Sequence, residues 1–386
     1  MIGGNLLGQG GYGCVFHPAV LCEKRKKKID KDKYVTKIQR KNNSATSEFE
    51  ISQKIKKIPY YKNYYVPIDH QCNVDIHTLM IDTEDFNKCE TFKKENKQKY
   101  VSMQLKKING VDMIDYIRDF YKRTFFLKNI TNSYGHLLIG IKNLADNDIV
   151  HFDLKFQNIM YSFESNLPLI IDFGLSIDMT KVSEKLTQYF YTSGIYTAWT
   201  LEIHLLNYLL NNNPNPTKVE LKELAYRFLY GDEDLPDGNK TLLQQFSKKF
   251  IDNYFKECEK QLLSYMDLTF EKKIEKILKS FKTWDNYALS MAYLHLLKPL
   301  FKMEEGFKTS ALMIFWTQLL LENIHPNPEK RNSIENTIIM FNKFFFENHD
   351  YTFNTIKKSI NNNKNVISNM NKLKIDTKKM ASIIRK

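Results

Sequence analysis

The stretch HFDLKFQN at residues 151–158 places a histidine, an aspartate and an asparagine in one short loop after an apolar run. Fourteen residues beyond Asn158, the segment LIIDFG places Asp172 after another apolar run. Asp153, Asn158 and Asp172 therefore offer oxygen-bearing side chains at the ends of short apolar strands. Hard oxygen donors bind Mg²⁺, and a well-placed carboxylate can accept a proton, so this pattern decides how the rest of the chain is interpreted.

These groups match what phosphoryl transfer from a magnesium nucleotide requires. We expect Asn158 and Asp172 to bind Mg²⁺ and Asp153 to accept the proton of the attacking hydroxyl. Lys155 would neutralise charge on the γ-phosphate. Each residue alone could be an ordinary surface polar group, but their joint occurrence in this order is specific.

A glycine-rich segment near the start of the chain, GQGGYG, has the spacing of a phosphate-binding loop. It contains Gly8, Gly10 and Gly13 and is followed by Val15. Dinucleotide-binding folds share this spacing, but they need a strand before the loop and a helix after it. Only seven residues precede Gly8, and CVFHPAVLC follows the loop, so the sequence predicts a strand-loop-strand hairpin whose glycines let the backbone approach phosphates.

The segment YVTKI places Lys37 on a predicted strand 24 residues after Gly13, where its ammonium group would reach the phosphates. In the helix predicted from SEFEISQKIKKI, Glu48 lies three residues before Ile51 on the apolar face. A carboxylate on a buried face needs a partner. We therefore expect Glu48 to pair with Lys37, with Glu50 as the second choice.

Together these motifs resemble the eukaryotic-type protein kinase family over nearly the whole chain. The resemblance implies an α+β, two-lobed protein kinase fold, with a small antiparallel-sheet N-lobe carrying one helix and a larger, mainly helical C-lobe. It implies ATP and Mg²⁺ as cofactors, with Lys37 as the ATP-positioning lysine. Lys155, two residues after Asp153, implies transfer to serine or threonine of a protein substrate.

The segment VSMQLKKINGVDM is similar to the stretch that joins the two lobes in this family. The resemblance would place Met103 behind the adenine and the Gln104 carbonyl and Leu105 backbone on its edge. Asp112 would lie near the ribose.

Three more charged residues match positions of the family. Glu202 in TLE would pair with Arg331 in PEKR, and Asp285 in WDNYALS would hold the backbone of the catalytic loop. The stretch between Glu202 and Asp285 is longer than the family usually has, which predicts a helical insertion at about 205–282. The insertion could bind a partner, shape specificity or enlarge the core.

Three residues depart from the family pattern. Thr200 and Leu201 replace Ala and Pro, and Phe152 stands where the family usually has Arg. That Arg belongs to a basic pocket for a phosphorylated activation loop. We therefore expect the segment 175–201 to order without phosphorylation. These departures and the Lys- and Asn-rich composition also resemble kinases of large DNA viruses.

The predicted domains are a nucleotide-binding N-lobe at 1–105, a C-lobe at 106–347 and a basic extension at 348–386. The net charge of +13 allows nucleic-acid binding without supporting it specifically. The chain lacks a secretory signal and an apolar run long enough to span a bilayer. We therefore expect a soluble intracellular protein, in the host cytoplasm or the virion if it is viral.

The five scattered cysteines include no CxxC pair and predict a reducing compartment rather than a disulfide framework. A zinc site at His70, Cys72, His77 and Cys89 is conceivable, but the spacing fits no common ligand pattern.

Two other classes of function remain open. A small-molecule kinase would share the lysine, the catalytic loop and the metal aspartate, but not the Glu202, Arg331 and Asp285 positions. A pseudokinase scaffold would bind partners through the insertion, although such proteins generally lack one of the charged positions that this chain keeps.

Overall fold

The computed structural model describes most of the chain. The described residues are 4–10, 13–20, 30–76, 84–93, 99–123, 125–192, 194–231, 239, 245–303 and 311–347. The chain forms two compact units, unit 1 with residues 1–129 and 156–178 and unit 2 with residues 130–155 and 179–386. The predicted C-terminal extension, 348–386, lies outside the described residues.

Unit 1 is built on a five-stranded antiparallel sheet with strand order β1-β2-β3-β5-β4. Its strands are β1 (Asn5–Gly10), β2 (Gly13–His17), β3 (Tyr34–Arg40), β4 (His70–Val74) and β5 (Tyr100–Lys106). A second, three-stranded sheet has the order β6-β8-β9. Its strands are β6 (Gly110–Asp112), β8 (Ile159–Ser162) and β9 (Leu167–Ile170), while β7 (Ile149–Val150) belongs to unit 2 and β10 (Ile177–Asp178) to unit 1.

The described residues of unit 1 form one longer helix and three shorter ones. They are α1 (Asn43–Ile55), α2 (Glu84–Asn87), α3 (Glu90–Lys93) and α4 (Met113–Phe120). Helix α1 begins after Asn42, whose side chain accepts a hydrogen bond from the backbone N–H of Ala45 at 2.9 Å. Its apolar face buries Ile51 and Ile55, and Glu48 lies on that same face. The amphipathic pattern therefore points Glu48 into the unit.

An aromatic cluster fills the part of unit 1 between the sheet and the short helices. The rings of Phe16 and Phe86 stack with centroids 4.3 Å apart, and Phe92 packs edge-on against Tyr100. This packing brings Cys14 and Cys89 together in a disulfide, with their Cα atoms 6.1 Å apart.

The prediction that the chain has no disulfides is therefore wrong. Cys14 and Cys89 are 75 residues apart in sequence, and only the packing of the apolar cluster brings them together. Cys72 is also disulfide-bonded. These bonds remove Cys72 and Cys89 from the conceivable zinc site, and His77 lies outside the described residues.

Unit 2 is mainly helical. Its helices are α5 (Phe126–Asp146, with its first turn in unit 1), α6 (Leu186–Tyr189), α7 (Leu201–Asn211), α8 (Lys218–Tyr230), α9 (Lys248–Leu263), α10 (Phe270–Leu278), α11 (Trp284–Met303), α12 (Ala311–Asn323) and α13 (Ile334–Asn342). Short 3₁₀ turns occur at Lys31–Lys33, Tyr61–Asn63, Phe156–Asn158, Met179–Glu184, Phe281–Thr283 and Pro328–Lys330, and α13 continues into a π-helical turn, Lys343–Glu347. Among the described residues, no helix is both long and apolar enough to cross a membrane.

Four buried polar residues in the core of unit 2 form a hydrogen-bonded network. Asn323 donates to the hydroxyl of Ser290 at 3.1 Å and accepts from Thr337 at 2.9 Å, while Asn286 donates to Thr337 at 3.0 Å. A buried polar group without a partner would cost free energy, so this network fixes how α11, α12 and α13 pack.

Candidate active site

Lys37 lies at the centre of a charged cluster inside unit 1. Its Nζ donates to Glu48 Oε1 at 2.9 Å and to Asp172 Oδ1 at 2.8 Å. The predicted contact between Lys37 and Glu48 is therefore present, and Glu50 is exposed. The β2–β3 register places Val15 opposite Lys37.

The cluster keeps Lys37 charged. Burial alone would lower the pKa of Lys37, but the negative charges of Glu48 and Asp172 outweigh it, and the pKa lies above its usual value. A permanently protonated lysine can orient two carboxylates and a phosphate at neutral pH.

Two residues that were not predicted from sequence support the cluster. Gln39 is two residues from Lys37 on β3 and donates to Glu48 Oε2 at 3.2 Å. A Cβ atom on Gly174 would lie 3.1 Å from Asp172 Oδ1 and 3.4 Å from Glu48 Oε2, so a glycine gives these carboxylates room. The period-2 pattern of β3 could have identified Gln39, since residues i and i+2 share a face.

Asp172 adopts a left-handed backbone conformation with φ of 59°, which costs free energy in a residue other than glycine. Its side chain is 41% exposed, whereas the side chain of Lys37 is 10% exposed. The N–H of Ile171, next to Asp172, donates to the carbonyl of Asn158 at 3.0 Å. The strained backbone thus presents a partly exposed carboxylate, and the residue before it is bonded to the backbone of Asn158.

These two side chains fit a magnesium ion chemically, since carboxylate and amide oxygens are donors that Mg²⁺ accepts. The ion would be held by Asp172 and Asn158. Their role as metal ligands stays a prediction. Within the described residues, no group of three or more His, Cys, Asp or Glu side chains could hold a metal ion.

The glycine hairpin is formed by β1 and β2, with Gly8 paired with Val15 and Gly10 with Gly13. A Cβ atom on Gly13 would lie 2.4 Å from the carbonyl oxygen of Ile38, so only glycine fits there. Cβ atoms on Gly8 and Gly10 would meet open space, which leaves their backbone accessible to a phosphate group. The two residues at the tip of the hairpin, 11 and 12, lie outside the described residues.

Gln104 and Leu105, which were expected at the edge of the adenine, both lie on strand β5. Gln104 is fully buried in β5, and its carbonyl accepts the N–H of Asp69 at 2.7 Å. This carbonyl therefore already accepts one hydrogen bond inside the sheet, and its predicted bond to the adenine edge stays a prediction. Strand β5 continues to Lys106, one residue past the predicted N-lobe boundary at 105, and Leu105 is half-buried.

Met103 and Asp112, the two other predicted nucleotide-binding residues of this stretch, each have a defined structural contact. Met103 is fully buried in an apolar cluster with Ala45 and Ile68. Asp112 caps helix α4 by accepting the N–H of Asp115 at 2.9 Å. Their predicted places behind the adenine and near the ribose stay predictions.

In unit 2, Asp153 and Lys155 form a second polar cluster. Lys155 Nζ lies 3.0 Å from Asp153 Oδ1. The hydroxyl of Tyr196 donates to the same oxygen and accepts a hydrogen bond from Lys155 at 3.2 Å. Tyr196 was not predicted from sequence, because nothing in the loop motif indicates which residue of a later segment will reach Asp153.

Asp285 holds the backbone next to Asp153. Its two carboxylate oxygens accept the N–H groups of His151 at 2.7 Å and of Phe152 at 3.0 Å, as expected from the sequence. Burial raises the pKa of Asp285, although the two N–H groups favour its ionised form. Phe152 has a left-handed φ of 69°, which is rare for a bulky residue. Asp285 therefore compensates backbone strain directly before the predicted base.

Phe152, which replaces the arginine of the family's basic pocket, packs into an aromatic cluster. Its ring stacks on Trp199 with centroids 4.7 Å apart and meets Phe190 edge-on at 5.6 Å. Trp199 Nε1 also donates to the Phe152 carbonyl at 2.8 Å. The catalytic loop and the segment that contains Phe190 and Trp199 are thus joined by apolar contacts and one hydrogen bond.

Glu202 and Arg331 form the predicted ion pair. The two guanidinium nitrogens of Arg331 lie 2.6 Å from the two oxygens of Glu202, and both side chains are almost completely buried. Burial alone would raise the pKa of Glu202, but the charge and hydrogen bonds of Arg331 outweigh it, and the pKa is lowered. Trp284 Nε1 donates to the same carboxylate at 3.2 Å.

The protein kinase domain model matches residues 3–201, just over half of the chain. The chain belongs to the protein kinase family. Its fold is the two-lobed protein kinase fold, with an antiparallel sheet in the N-terminal part and a mainly helical remainder, so the predicted fold class is confirmed.

Two proteins of Dictyostelium discoideum are similar to this chain. "Serine/threonine-protein kinase atg1" is 27% identical over 198 residues, which cover 48% of this chain and 27% of that protein. "Probable serine/threonine-protein kinase mkcB" is 27% identical over 237 residues, which cover 56% of this chain and 28% of that protein. The matched region is thus only about a quarter of each relative. The comparisons do not bear on the predicted viral relationship, which stays a prediction.

Proposed function

We propose that the protein is a serine/threonine kinase that transfers the γ-phosphoryl group of Mg-ATP to a hydroxyl group of a protein substrate. The observation that carries this proposal is the cluster of Lys37, Glu48 and Asp172, which keeps every charged position that the reaction needs in unit 1. The names of both similar proteins support the same acceptor class.

The residues of unit 1 would bind and orient the nucleotide. Lys37, held by Glu48, would contact its phosphates, and the open backbone at Gly8 and Gly10 would let them approach. Asp172 and Asn158 would hold Mg²⁺, which supplies positive charge that offsets the charge of the phosphates when it is bound.

The residues of unit 2 would act on the hydroxyl group that accepts the phosphoryl group. Asp153 would accept the proton of the attacking hydroxyl, and its backbone is fixed by the two hydrogen bonds to Asp285. The ammonium group of Lys155 would stabilise negative charge that develops near the transferred group. Fixed positions matter because misplacing a reacting group by about 1 Å can cost roughly 10²-fold in rate.

The contacts of Glu202 and Asp285 favour a protein kinase over a small-molecule kinase, because a small-molecule kinase was not expected to share these two positions. The helical insertion includes described helices α8 to α10, and a role in binding a partner stays a prediction. Intracellular localisation and any nucleic-acid contact also stay predictions.

A peptide-array assay with purified protein and Mg-ATP tests the proposal. We expect phosphate on serine or threonine peptides and none on aminoglycosides or choline. In parallel, Mg-ATP should raise the melting temperature of the protein through mass action. Absence of both transfer and thermal shift would contradict the proposal and favour a pseudokinase scaffold.

A further inference from the structure

The hydroxyl of Tyr196 is bonded to the carboxylate that the proposed mechanism uses as proton acceptor. It donates to Asp153 Oδ1, and Lys155 Nζ lies 3.0 Å from that oxygen and 3.2 Å from the Tyr196 hydroxyl. The Lys155 ammonium group also lies 5.6 Å from the centre of the Tyr196 ring. These three side chains, all in unit 2, place a side-chain hydroxyl where an acceptor hydroxyl would have to bind.

The backbone around Tyr196 is held by several contacts. The Tyr196 carbonyl accepts the N–H of Trp199 at 2.9 Å and lies 3.1 Å from His204 Nε2. The Tyr196 ring meets the Trp199 ring edge-on, with centroids 5.2 Å apart. Because Trp199 also packs on Phe152, next to Asp153, the phenol is held in position on the catalytic loop.

A purely structural role explains these backbone contacts but accounts less well for the hydroxyl. The Tyr196 side chain is partly exposed, and a hydrogen bond that water could replace contributes only about 0.5–1.5 kcal/mol of stability. The same hydroxyl donates a hydrogen bond to Asp153 and accepts one from the ammonium group of Lys155. This combination is the one that prepares a hydroxyl for attack, because the carboxylate accepts the proton and the ammonium stabilises the oxygen that remains.

We propose that Tyr196 is an autophosphorylation site, modified by the active site of its own chain. This inference rests on the proposed function, since it uses Mg-ATP and the same role for Asp153. The Tyr196 O–H bond breaks and its proton passes to Asp153, while the phenolic oxygen forms a bond to the γ-phosphorus. The bond from the γ-phosphorus to the bridging oxygen breaks, and ADP leaves with that electron pair.

The phenol of tyrosine suits this step. A phenol is a far stronger acid than an aliphatic alcohol, so less driving force is needed to move its proton to a carboxylate. The site would therefore accept a tyrosine of its own chain even though its protein substrates are phosphorylated on serine or threonine.

Phosphate mapping on the full-length protein tests the inference. The protein is first treated with phosphatase, which is then removed, and it is incubated with Mg-ATP at several protein concentrations. Fragment-ion mass spectrometry then assigns each phosphate to a residue. We expect Tyr196 to be phosphorylated at a fractional rate that does not depend on protein concentration, because the reaction occurs within one chain.

Three variants serve as controls. Tyr196→Phe keeps the ring and should lose this phosphate, and Asp153→Asn should lose it as well. Tyr191→Phe is the matched control, because Tyr191 lies in the same segment with 55% of its surface exposed, and it should leave phosphorylation of Tyr196 unchanged.

Phosphorylation of a serine or threonine peptide is measured in the same samples. Peptide phosphorylation without phosphate on Tyr196 would overturn the inference and leave the proposed function standing. Loss of both would overturn both. A fractional rate that rises with protein concentration would show transfer between chains and would also overturn the inference.

Discussion

The two buried ion-pair clusters differ in exposure, and the difference separates a structural role from a chemical one. In unit 2, Glu202 and Arg331 have side chains that are 1% and 0% exposed, and they bond to each other and to neighbouring groups of the same unit. In unit 1, Lys37 pairs with buried Glu48 but also with Asp172, whose side chain is 41% exposed. A sealed pair can only stabilise the fold, whereas a partly open cluster can still reach a ligand.

The sealed cluster should give the largest effect, and the effect should be on stability. Arg331→Met leaves the Glu202 carboxylate buried without its charged partner, which costs about 3–5 kcal/mol. Chemical denaturation of the purified variant measures the loss. Lys330→Met is the control, because Lys330 is partly exposed and should change stability by less than about 0.5 kcal/mol. A loss of stability in Arg331→Met no larger than in the control would contradict the assignment.

Substitutions of the two aspartates in the proposed mechanism should differ in which step they affect rather than in the size of the effect. Asp153→Asn removes the proposed proton acceptor and should lower turnover by about 10²-fold or more while nucleotide binding stays nearly intact. Asp172→Asn removes a proposed metal ligand and should weaken Mg-ATP binding as well as turnover. Calorimetric titration with Mg-ATP and steady-state rates measure both effects. Equal loss of nucleotide affinity in the two variants would refute the division of roles.

Within the open cluster, the lysine should matter more than its partner. Lys37→Met should lower turnover by roughly 30-fold or more, because a charged contact to the phosphates is lost. Glu48→Gln should lower it by about tenfold, since Lys37 keeps its bond to Asp172 but loses part of its orientation. Initial rates measure both losses. Exposed Glu50 provides the matched control, and a larger loss in Glu50→Gln than in Glu48→Gln would show that the wrong carboxylate was chosen.

The smallest effect concerns the aromatic cluster around Phe152. Phe152 cannot bind a phosphate, and its packing on Phe190 and Trp199 joins the segment to the catalytic loop by apolar contacts. Removing phosphate from serine and threonine residues in 175–201 with a Ser/Thr-specific phosphatase should therefore change the initial rate by less than about twofold. Mass spectrometry confirms removal, and a large drop in rate would mean that another basic residue supplies the missing pocket.

Several features could be predicted because they depend on local pattern. The helical face of Glu48 indicated its partner, and the order of the charged motifs indicated Asp285 and the Glu202–Arg331 pair. The hydrogen bond of the Gln104 carbonyl inside the sheet was not predicted, because the bonds of a strand depend on its neighbours. Here β5 stays paired with β3 to Lys106, and the Gln104 carbonyl accepts the N–H of Asp69.

The sequence by itself determined the family, the fold class and the main charged positions, because catalytic chemistry restricts residue types at fixed local spacings. Tertiary structure alone decided the Cys14–Cys89 disulfide, the support of Glu48 by Gln39, and the contact of Tyr196 with Asp153. In the disulfide and the tyrosine contact, the partners lie 75 and 43 residues apart. Such contacts depend on how the apolar core packs, and no local periodicity records which distant side chains that packing will bring together.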